Sequence, residues 1–335
     1  MNDSAESILV TGGGGFLGAA IVSMLVEQGV RVRSFARGLY PDLAAMGVEQ
    51  VQGDLRDARA VFAACEGIDA VIHTAAKAGV WGAFDDYFAV NVTGTENVIA
   101  ACRHHRVARL IHTSSPSVVF TGRDQAGVDE SAPYSEKYET PYPATKARAE
   151  KMVRNAGRGK LLTLCIRPHL IWGPKDNHLV PRIIRRARRL KRIGDGTNLV
   201  DTVYIDNAAR AHVLAARRLK ENPSLSGNVY FISQGEPVPL WEMVDRILQA
   251  AGKDPVRGSL SPRMAWRVGA GLERLYRWLR LPGEPLLTRF VATELSTAHW
   301  FNIDAARRDL GYAPLVSTET GLDRLACWLK QYPIR

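Results

Sequence analysis

Four consecutive glycines between a strand-like run and a helical run constrain the fold of this chain more than any other feature. The segment reads VTGGGGFLGAAIVSMLVEQG over residues 10–29. Glycine at such a turn lets the backbone approach a pyrophosphate, and the positive end of the following helix faces the phosphates. The glycines fit two spacings, G-x-x-G-x-x-G from Gly12 or G-x-G-x-x-G from Gly13. Both predict a dinucleotide site, with contacts at Gly12, Gly15, Phe16, Leu17 and Gly18.

Apolar, β-branched runs alternate with helical stretches through the first two-thirds of the chain. Such alternation predicts a parallel sheet covered on both faces, the doubly wound Rossmann architecture of the α/β class. We predict a core of residues 1–170 and 201–235, and a smaller, mostly helical substrate lobe of residues 171–200 and 236–335. The predicted strands read SILVT, VRVRSF, VEQVQGD, DAVIHTA, ARLIHTSS, LLTLCIRP and NVYFIS, the last returning to complete the core sheet.

Charge and cysteine content limit the classes of partner. The chain of 335 residues has a formal net charge of +10, which raises the question of nucleic acid. The arginine-rich run at 181–192 has no nucleic-acid-reader signature, so we predict a solvated helix face and no nucleic-acid partner. No window suits a membrane span or a signal peptide. The cysteines show no metal-ligand spacing, so we predict buried free thiols, no metal site and a cytoplasmic protein; they are Cys65, Cys102, Cys165 and Cys327.

The end of the second predicted strand indicates which dinucleotide is bound. It reads VRSFARG, with Arg37 and no acid. A carboxylate there would accept a hydrogen bond from the ribose of NAD, whereas a guanidinium pairs with the 2′-phosphate of NADP. We therefore predict NADP(H), the alternative being that Arg37 is only a surface residue. Asp54, after the third strand, is placed to accept from the adenine amino group.

Two further segments predict a catalytic group. The fifth strand ends in Thr113, Ser114 and Ser115, at the sheet edge where ligands collect. In ETPYPATKARAEKMV (139–153), Tyr142 and Lys146 are four residues apart at the start of a predicted helix, so they lie on one face. A hydroxyl, a phenol and an ammonium are thereby predicted to converge.

Together these motifs resemble the extended short-chain dehydrogenase/reductase family. The resemblance also rests on HTAA (73–76), NVTGTENV (91–98), RPHLIWGP (167–174), VYIDNAARAH (203–212) and LGYAP (310–314). It implies that Tyr142 donates a proton to a substrate carbonyl while the nicotinamide delivers hydride. It implies that Lys146 lowers the pKa of Tyr142 and holds the nicotinamide ribose, and that Ser115, or alternatively Ser114, binds the carbonyl oxygen. It also implies cofactor contacts at Leu55, Ala75 and Pro168.

Within the family the chain resembles the 3β-hydroxysteroid dehydrogenase-like branch, and in it the 2-alkyl-3-oxoalkanoate reductases of bacterial long-chain olefin biosynthesis. This implies an NADPH-dependent reduction of a branched β-keto acid, a homodimer with a four-helix interface, and assembly with other enzymes of that pathway. Such a substrate needs a cation or donor beside an apolar groove. The predicted substrate contacts are Trp81, His169, Asn177 and His178, with Arg182 as a further candidate donor; structural roles are predicted for His73, His112 and His212.

Three other functions share parts of this pattern: a decarboxylating sterol-type 3β-hydroxy dehydrogenase, an NAD-dependent nucleotide-sugar epimerase or dehydratase, and a nucleotide-binding redox sensor or scaffold.

The stretch at 262–281 is a separate question. It places arginines on one face of a predicted helix and apolar residues on another. The pattern leaves four roles open for this helix: it packs on its own lobe, it covers a lipid substrate, it lies on a membrane surface, or it docks on a partner enzyme.

Overall fold

The computed structural model describes residues 6–334. Within this range the chain forms fifteen strands and twelve α-helices. The strands are β1 (Ser7–Thr11), β2 (Arg31–Ala36), β3 (Glu49–Gln52), β4 (Ala70–His73), β5 (Arg109–Thr113), β6 (Gln125–Val128), β7 (Leu162–Pro168), β8 (Ile171–Trp172), β9 (Arg192–Ile193), β10 (Leu199–Val200), β11 (Val203–Tyr204), β12 (Val229–Ile232), β13 (Val238–Pro239), β14 (Ser259–Leu260) and β15 (His299–Phe301).

The helices alternate with the strands in the first part of the chain and dominate the last part. They are α1 (Phe16–Glu27), α2 (Pro41–Ala45), α3 (Ala58–Cys65), α4 (Phe84–Phe88), α5 (Gly94–His104), α6 (Pro141–Ala156), α7 (Leu179–Arg186), α8 (Ile205–Glu221), α9 (Leu240–Ala250), α10 (Pro262–Trp278), α11 (Arg289–Glu294) and α12 (Thr318–Gln331). A π-helical turn, Ala89–Thr93, joins α4 to α5.

Seven strands form one parallel sheet in the order β12-β7-β5-β4-β1-β2-β3. They are the seven strands predicted from the sequence, and β12 returns to the edge beside β7 as predicted. Successive residues of a strand point to opposite faces, so Val10 joins one buried cluster with α1 and α8, while Leu9 joins another with α3, α5 and α6. The predicted α/β Rossmann architecture is confirmed.

The remaining segments pack around a third apolar cluster that includes Trp172, Trp241 and Leu325. This region contains α7, α9, α10, α11 and α12, together with short strands that the sequence did not predict. Strands of two or three residues, such as β10 and β15, are too short to show a period-two pattern. The division into core and lobe at the predicted boundaries stays a prediction, and its residues 1–5 and 335 lie outside the described range.

The cysteine prediction is correct at three positions and wrong at one. Cys65, Cys102 and Cys165 are buried free thiols, whereas Cys327 is exposed. Cys327 lies on the outer side of α12, whose buried residues include Leu325 and Leu329. Among the described helices, none combines the length and the apolar character that crossing a bilayer requires.

Candidate active site

The turn between β1 and α1 has no room for side chains. Gly12 has a φ of +73°, and a Cβ atom there would lie 3.0 Å from backbone atoms of Ala75. A Cβ at Gly18 would lie 2.1 Å from the carbonyl oxygen of Gly12. Gly15 caps α1 without a side chain, and the first turn of the helix contains no acid. The first N–H groups of α1 are therefore left for an anion, which fits the pyrophosphate of a dinucleotide.

The other predicted cofactor contacts surround this turn. Phe16 and Leu17 begin α1 and pack against the apolar cluster of the lobe. Pro168 is buried at the end of β7, next in the sheet to β5. Leu55 is buried after β3, and a Cβ atom added to Gly94 would lie 2.8 Å from the Cβ atom of Leu55. The described backbone thus brings these residues to the carboxyl edge of the sheet, where a dinucleotide binds in this architecture.

Two arginines lie at the end of β2 and β3. Arg37 is exposed directly after β2. Arg56 donates from Nε and Nη2 to the carboxylate of Asp54 at 3.0 and 2.8 Å. This hydrogen bonding lowers the pKa of Asp54, and the charge of Arg37 lowers it further. The sequence analysis missed Arg56, although it stands in the same GDLRD segment as Asp54.

The serines after β5 face different neighbours. The Ser115 hydroxyl lies near the Tyr142 phenol and lowers its pKa, although the two form no well-aligned hydrogen bond within the described residues, and it lies 2.9 Å from the Ser117 hydroxyl. Ser114 is buried, on the side of the Glu150 carboxylate, whose pKa it helps to lower. Its hydroxyl makes no well-aligned hydrogen bond within the described residues. Of the two serines, only Ser115 interacts with the predicted proton donor.

Tyr142 lies in the first turn of α6, as the sequence predicted. The helix begins at Pro141, because proline at the first position has no N–H to leave unsatisfied. Burial raises the pKa of Tyr142 to about 12; the nearby Ser115 hydroxyl opposes the shift, and the negative charges of Glu294 and an ionised Tyr87 add to it. The phenol is therefore protonated throughout the neutral range.

Lys146 is buried one turn further along α6. Its ammonium donates to the carbonyl oxygen of Thr113 and lies 3.3 Å from Nε2 of His112. Burial lowers the pKa of Lys146 to about 8. The expected lowering of the Tyr142 pKa by Lys146 is not seen, because the ammonium is directed to the end of β5 and the phenol is instead dominated by burial. Lys146 is thus placed to join α6 to the sheet edge.

A buried asparagine that the sequence analysis did not single out connects α6 to the loop after β4. Asn91 donates to the Thr145 hydroxyl at 3.1 Å and to the Lys77 carbonyl at 3.0 Å, and accepts from the Lys77 N–H at 2.7 Å. It belongs to the NVTGTENV segment, so a signal was present. The asparagine holds the Ala75–Lys77 backbone beside the helix that carries Tyr142.

The histidines near the sheet edge have structural partners. His73 bridges the hydroxyls of Thr11 and Thr95 at 2.7 and 3.0 Å. The ring of His112 lies 5.2 Å from that of His73, tilted by 38°, and Nε2 of His212 lies 2.9 Å from the Thr113 hydroxyl. Burial lowers the pKa of all three. These contacts agree with the structural roles predicted for His73, His112 and His212.

The predicted substrate residues are not brought together. His169 is buried, with one ring nitrogen against the Asp201 carbonyl and the other 3.1 Å from His299. Neither nitrogen is left for a substrate, so this prediction is wrong. Asn177 and His178 are exposed before α7. Trp81 is half-buried and contacts two residues of α10, Tyr276 edge-on and Arg277 through a cation–π contact of 5.4 Å.

Three charged side chains from separate segments of the lobe interact with one another, and one of them, Glu294, acts on Tyr142. Arg182 on α7 forms an ion pair with Glu284, which precedes α11. Burial raises the pKa of Glu294, the last residue of α11, to about 7, and the charge of Arg182 opposes this shift. Arg182 was a candidate donor in the sequence, whereas Glu284 and Glu294 carried no motif. A cavity of about 530 Å³ elsewhere in the lobe, lined by Arg192 and Trp241 among others, contains none of these residues.

Residues 9–260 match the 3-beta hydroxysteroid dehydrogenase/isomerase family. The chain belongs to this family. It is therefore an oxidoreductase that acts on hydroxyl or keto groups, and a non-catalytic sensor or scaffold is no longer an alternative. The chain is 53% identical to a 2-alkyl-3-oxoalkanoate reductase of Stenotrophomonas maltophilia over 95% of this chain and 98% of the relative. It is 49% identical to a protein of the same name from Shewanella oneidensis, over 94% of this chain and 84% of the relative.

A solved structure with the same architecture is the UDP-glucuronic acid 4-epimerase from Bacillus cereus in complex with NAD. It superposes with a TM-score of 0.74 over 98% of this chain and 100% of the epimerase, at 23% identity. At that identity the likeness concerns the fold. The family and the glycine turn together support a nicotinamide dinucleotide as the cofactor of this oxidoreductase.

Proposed function

We propose that this enzyme reduces a 2-alkyl-3-oxoalkanoate, a long-chain β-keto acid, to the 2-alkyl-3-hydroxyalkanoate with NADPH. The observation that carries the proposal is the placement of Tyr142 near Ser115 at the carboxyl edge of β5, in the first turn of α6, in a chain 53% identical to a 2-alkyl-3-oxoalkanoate reductase. The sugar epimerase serves only as a likeness of fold at 23% identity.

The bound cofactor would supply hydride to the substrate carbonyl carbon. Ser115 would hydrogen-bond the carbonyl oxygen as negative charge develops there, and Tyr142 would donate its proton to that oxygen. A pKa near 12 suits this direction, because the phenol is protonated at neutral pH and an alkoxide is a stronger base than a phenolate.

The cofactor would be held by the glycine turn, with Gly12, Gly15, Phe16, Leu17 and Gly18 at the pyrophosphate. Arg37 and Arg56 support NADP(H) over NAD, since their guanidinium groups complement a 2′-phosphate. Asp54 would accept from the adenine amino group, although its carboxylate already accepts from Arg56.

The carboxylate of the substrate would pair with Arg182. The Arg182 guanidinium already holds a carboxylate, that of Glu284, so its geometry suits this ligand. Trp81 would line the alkyl-chain side of the cleft, and Asn177 and His178 would lie at its rim.

The quaternary structure and the cellular location are proposed from the resemblance to the family, and not from a contact between subunits. We propose a cytoplasmic homodimer that works beside other enzymes of olefin biosynthesis, with the α10 surface available for peripheral contact. A molar mass measured by light scattering tests the dimer.

The reaction is tested in the oxidative direction, in which the substrate is chemically stable. NADP⁺ and NAD⁺ reduction would be followed with 2-alkyl-3-hydroxy acids of increasing chain length, with UDP-glucose and a 3β-hydroxysterol as alternative substrates. We expect turnover with the hydroxy acids and preference for NADP⁺. Turnover of the sugar or the sterol, with none of the hydroxy acids, would contradict the proposal.

A further inference from the structure

The loop between β4 and α4 lies against one buried side chain, that of Tyr87 in α4. Tyr87 is 1% exposed, and its hydroxyl donates to the carbonyl oxygen of Trp81 at 3.0 Å. A Cβ atom added to Gly79 would lie 2.9 Å from the same hydroxyl, and one added to Gly82 would lie 3.3 Å from Cε2 of the ring. Three positions of the loop are therefore set by a single tyrosine.

The loop follows this ring because two of its residues are glycine. Gly79 and Gly82 have φ angles of +122° and +139°, which residues with a side chain rarely adopt. Gly82 is exposed, so the backbone conformation, and not burial, requires a glycine there. The two glycines stand on either side of Trp81 in the sequence, and they bring the backbone before and after it against the Tyr87 ring.

A second side chain anchors the start of the loop independently. Asn91, four residues after Tyr87, accepts from the Lys77 N–H at 2.7 Å and donates to the Lys77 carbonyl at 3.0 Å. Asn91 thus fixes the segment next to Ala75, a predicted cofactor contact, whereas Tyr87 fixes the segment that contains Trp81. Loss of the Tyr87 hydroxyl should therefore disturb Trp81 and leave the cofactor segment in place.

The indole of Trp81 extends from this loop to α10 in the lobe. Its ring lies edge-on to that of Tyr276, with the ring centroids 6.4 Å apart, and the Arg277 guanidinium lies 5.4 Å from its centroid. The backbone of Trp81 is held from the core side and its ring is packed from the lobe side. The position of the indole therefore depends on both contacts.

The same tyrosine interacts with the ion pair proposed to receive the substrate carboxylate. Burial raises the pKa of the Tyr87 phenol, the charge of Glu284 adds to this shift, and the charge of Arg182 opposes it. Tyr87 thus interacts with the proposed carboxylate site and holds Trp81, the residue proposed to line the alkyl chain.

We propose that Tyr87 is a positioning residue that sets the preference of the enzyme for long alkyl chains by holding Trp81 in place. The fixed indole packs along a long alkyl chain and removes apolar surface from water. Without the Tyr87 hydroxyl, the Trp81 carbonyl loses its partner and the indole must be ordered when the substrate binds. The loss grows with chain length, because a short chain does not reach the indole. This inference rests on the proposed function.

Kinetics with a long-chain and a short-chain 2-alkyl-3-hydroxy acid test this role. The ratio of kcat/KM for the long acid to kcat/KM for the short acid should fall about fivefold in Tyr87→Phe, the effect of one lost hydrogen bond. Trp81→Ala should lower the ratio about tenfold, because the apolar wall is removed. The double variant should lower it no further than Trp81→Ala alone, since Tyr87 acts through Trp81. The KM for NADP⁺ should be unchanged in Tyr87→Phe.

Tyr312→Phe is the matched control. Tyr312 is also 1% exposed, and its hydroxyl also donates to a main-chain carbonyl, that of Ser233, at 2.9 Å. This variant should leave the ratio unchanged. Gly82→Ala perturbs the loop without altering Tyr87, and as an exposed position it leaves the core intact. It should lower the ratio as Tyr87→Phe does, because alanine is strained at this φ.

Two kinetic outcomes would overturn the proposal. One is an equal loss of kcat/KM for the long and the short acid in Tyr87→Phe, or no loss for either. The other is a ratio in the double variant that falls by the product of the two single effects. In both cases Tyr87 would stabilise the fold without acting through Trp81.

Fluorine NMR measures the environment of Trp81 without any substrate. In the full chain labelled with 5-fluorotryptophan, the Trp81 resonance is identified by its loss in Trp81→Phe. It should shift or broaden in Tyr87→Phe and keep its position in Tyr312→Phe. An unchanged Trp81 resonance in Tyr87→Phe would overturn the proposal. If the unmodified enzyme turns over none of the hydroxy acids, the proposed function is contradicted, while the fluorine spectra still decide whether Tyr87 holds Trp81.

Discussion

The core side and the lobe side of the proposed site are built differently. On the core side, Tyr142, Lys146 and Ser115 come from α6 and the end of β5, and main-chain atoms or buried neighbours hold them. On the lobe side, Arg182 and Glu284 come from segments that are 102 residues apart, and each side chain keeps about a third or a quarter of its surface exposed. Their principal partner is each other.

This difference separates two tasks. Groups that transfer a proton must stay within hydrogen-bond reach of the reacting atom, so a packed helix beside a sheet suits them. Groups that recognise a variable substrate gain from partners that a ligand can displace. Under the proposed function, the core would therefore set the reaction, and the lobe would set which molecule undergoes it.

The largest expected effect tests the core side directly. Tyr142→Phe removes the proposed proton donor and keeps the ring, so kcat should fall by about a thousandfold while NADPH still binds. Initial rates and cofactor fluorescence measure the two quantities. Tyr138→Phe is the matched control, because its hydroxyl donates to the Val118 carbonyl at 3.0 Å and has no proposed role in catalysis. A Tyr142→Phe enzyme with most of its activity would remove the basis of the mechanism.

A second prediction concerns the cost of burying Lys146. Its pKa is about 8 in the folded chain against a usual 10.5. Between these values the unfolded chain binds a proton that the folded chain does not, so stability rises with pH from 8 to 10.5. Below pH 8 the folded protein carries the full penalty, about 3 kcal/mol. Lys146→Met has no buried ammonium and therefore no such penalty. The difference in free energy of unfolding, variant minus unmodified chain, should be larger at pH 7 than at pH 11 by about 3 kcal/mol.

Urea unfolding at the two pH values measures this difference, and activity should be lost at both. The exposed Lys160 serves as control, since Lys160→Met should give the same relative stability at pH 7 and pH 11. A Lys146→Met variant whose relative stability does not change with pH would show that the buried ammonium is not the source of the penalty.

Two helical glycines test whether the turn is as closed as its geometry implies. At Gly18 a Cβ would lie 2.1 Å from the Gly12 carbonyl oxygen, whereas at Gly271 nothing lies within 4 Å. Gly18→Ala should destabilise the chain by about 1–3 kcal/mol and weaken cofactor binding. Gly271→Ala should stabilise it by about 0.5–1 kcal/mol, because alanine restricts the unfolded chain and favours the helix. Thermal unfolding with and without NADPH measures both; equal effects would show that the turn can open.

The sequence was most informative where local rules and the fold agree. The seven sheet strands, the glycine turn and the position of Tyr142 follow from apolar runs, glycine spacing and a proline at the helix start. The direction of a side chain does not follow from spacing. Lys146 shares a helix face with Tyr142, yet its ammonium turns to Thr113. Ser114 and Ser115 are adjacent in the sequence, but Ser114 is buried and Ser115 is only partly buried, so their side chains have different neighbours.

The lobe was less predictable because its contacts are long-range. His169 looked like a donor in RPHLIWGP, but a histidine 130 residues away occupies its second nitrogen. Glu294 belongs to no motif, and its burial arises from the tertiary packing of α11, which lies against α10. The short strands of the lobe carry no period, and only tertiary contact orders them. The residues proposed for catalysis could therefore be predicted from local sequence patterns, and the residues proposed to select the substrate could not.

The smallest expected effect tests the lobe side and would sharpen the contrast with the core. Arg182→Gln removes the proposed partner of the substrate carboxylate, so the KM for the hydroxy acid should rise about tenfold with kcat little changed. The methyl ester of the same acid has no charge to pair and should show no such rise. Arg186→Gln is the matched control, because that arginine lies one turn along α7 and donates to the Leu286 carbonyl at 2.8 Å. Glu284→Gln should lower the KM, since a competing carboxylate is removed. If Arg182→Gln raises the KM equally for the acid and for the ester, the arginine only stabilises the lobe, and other residues select the substrate.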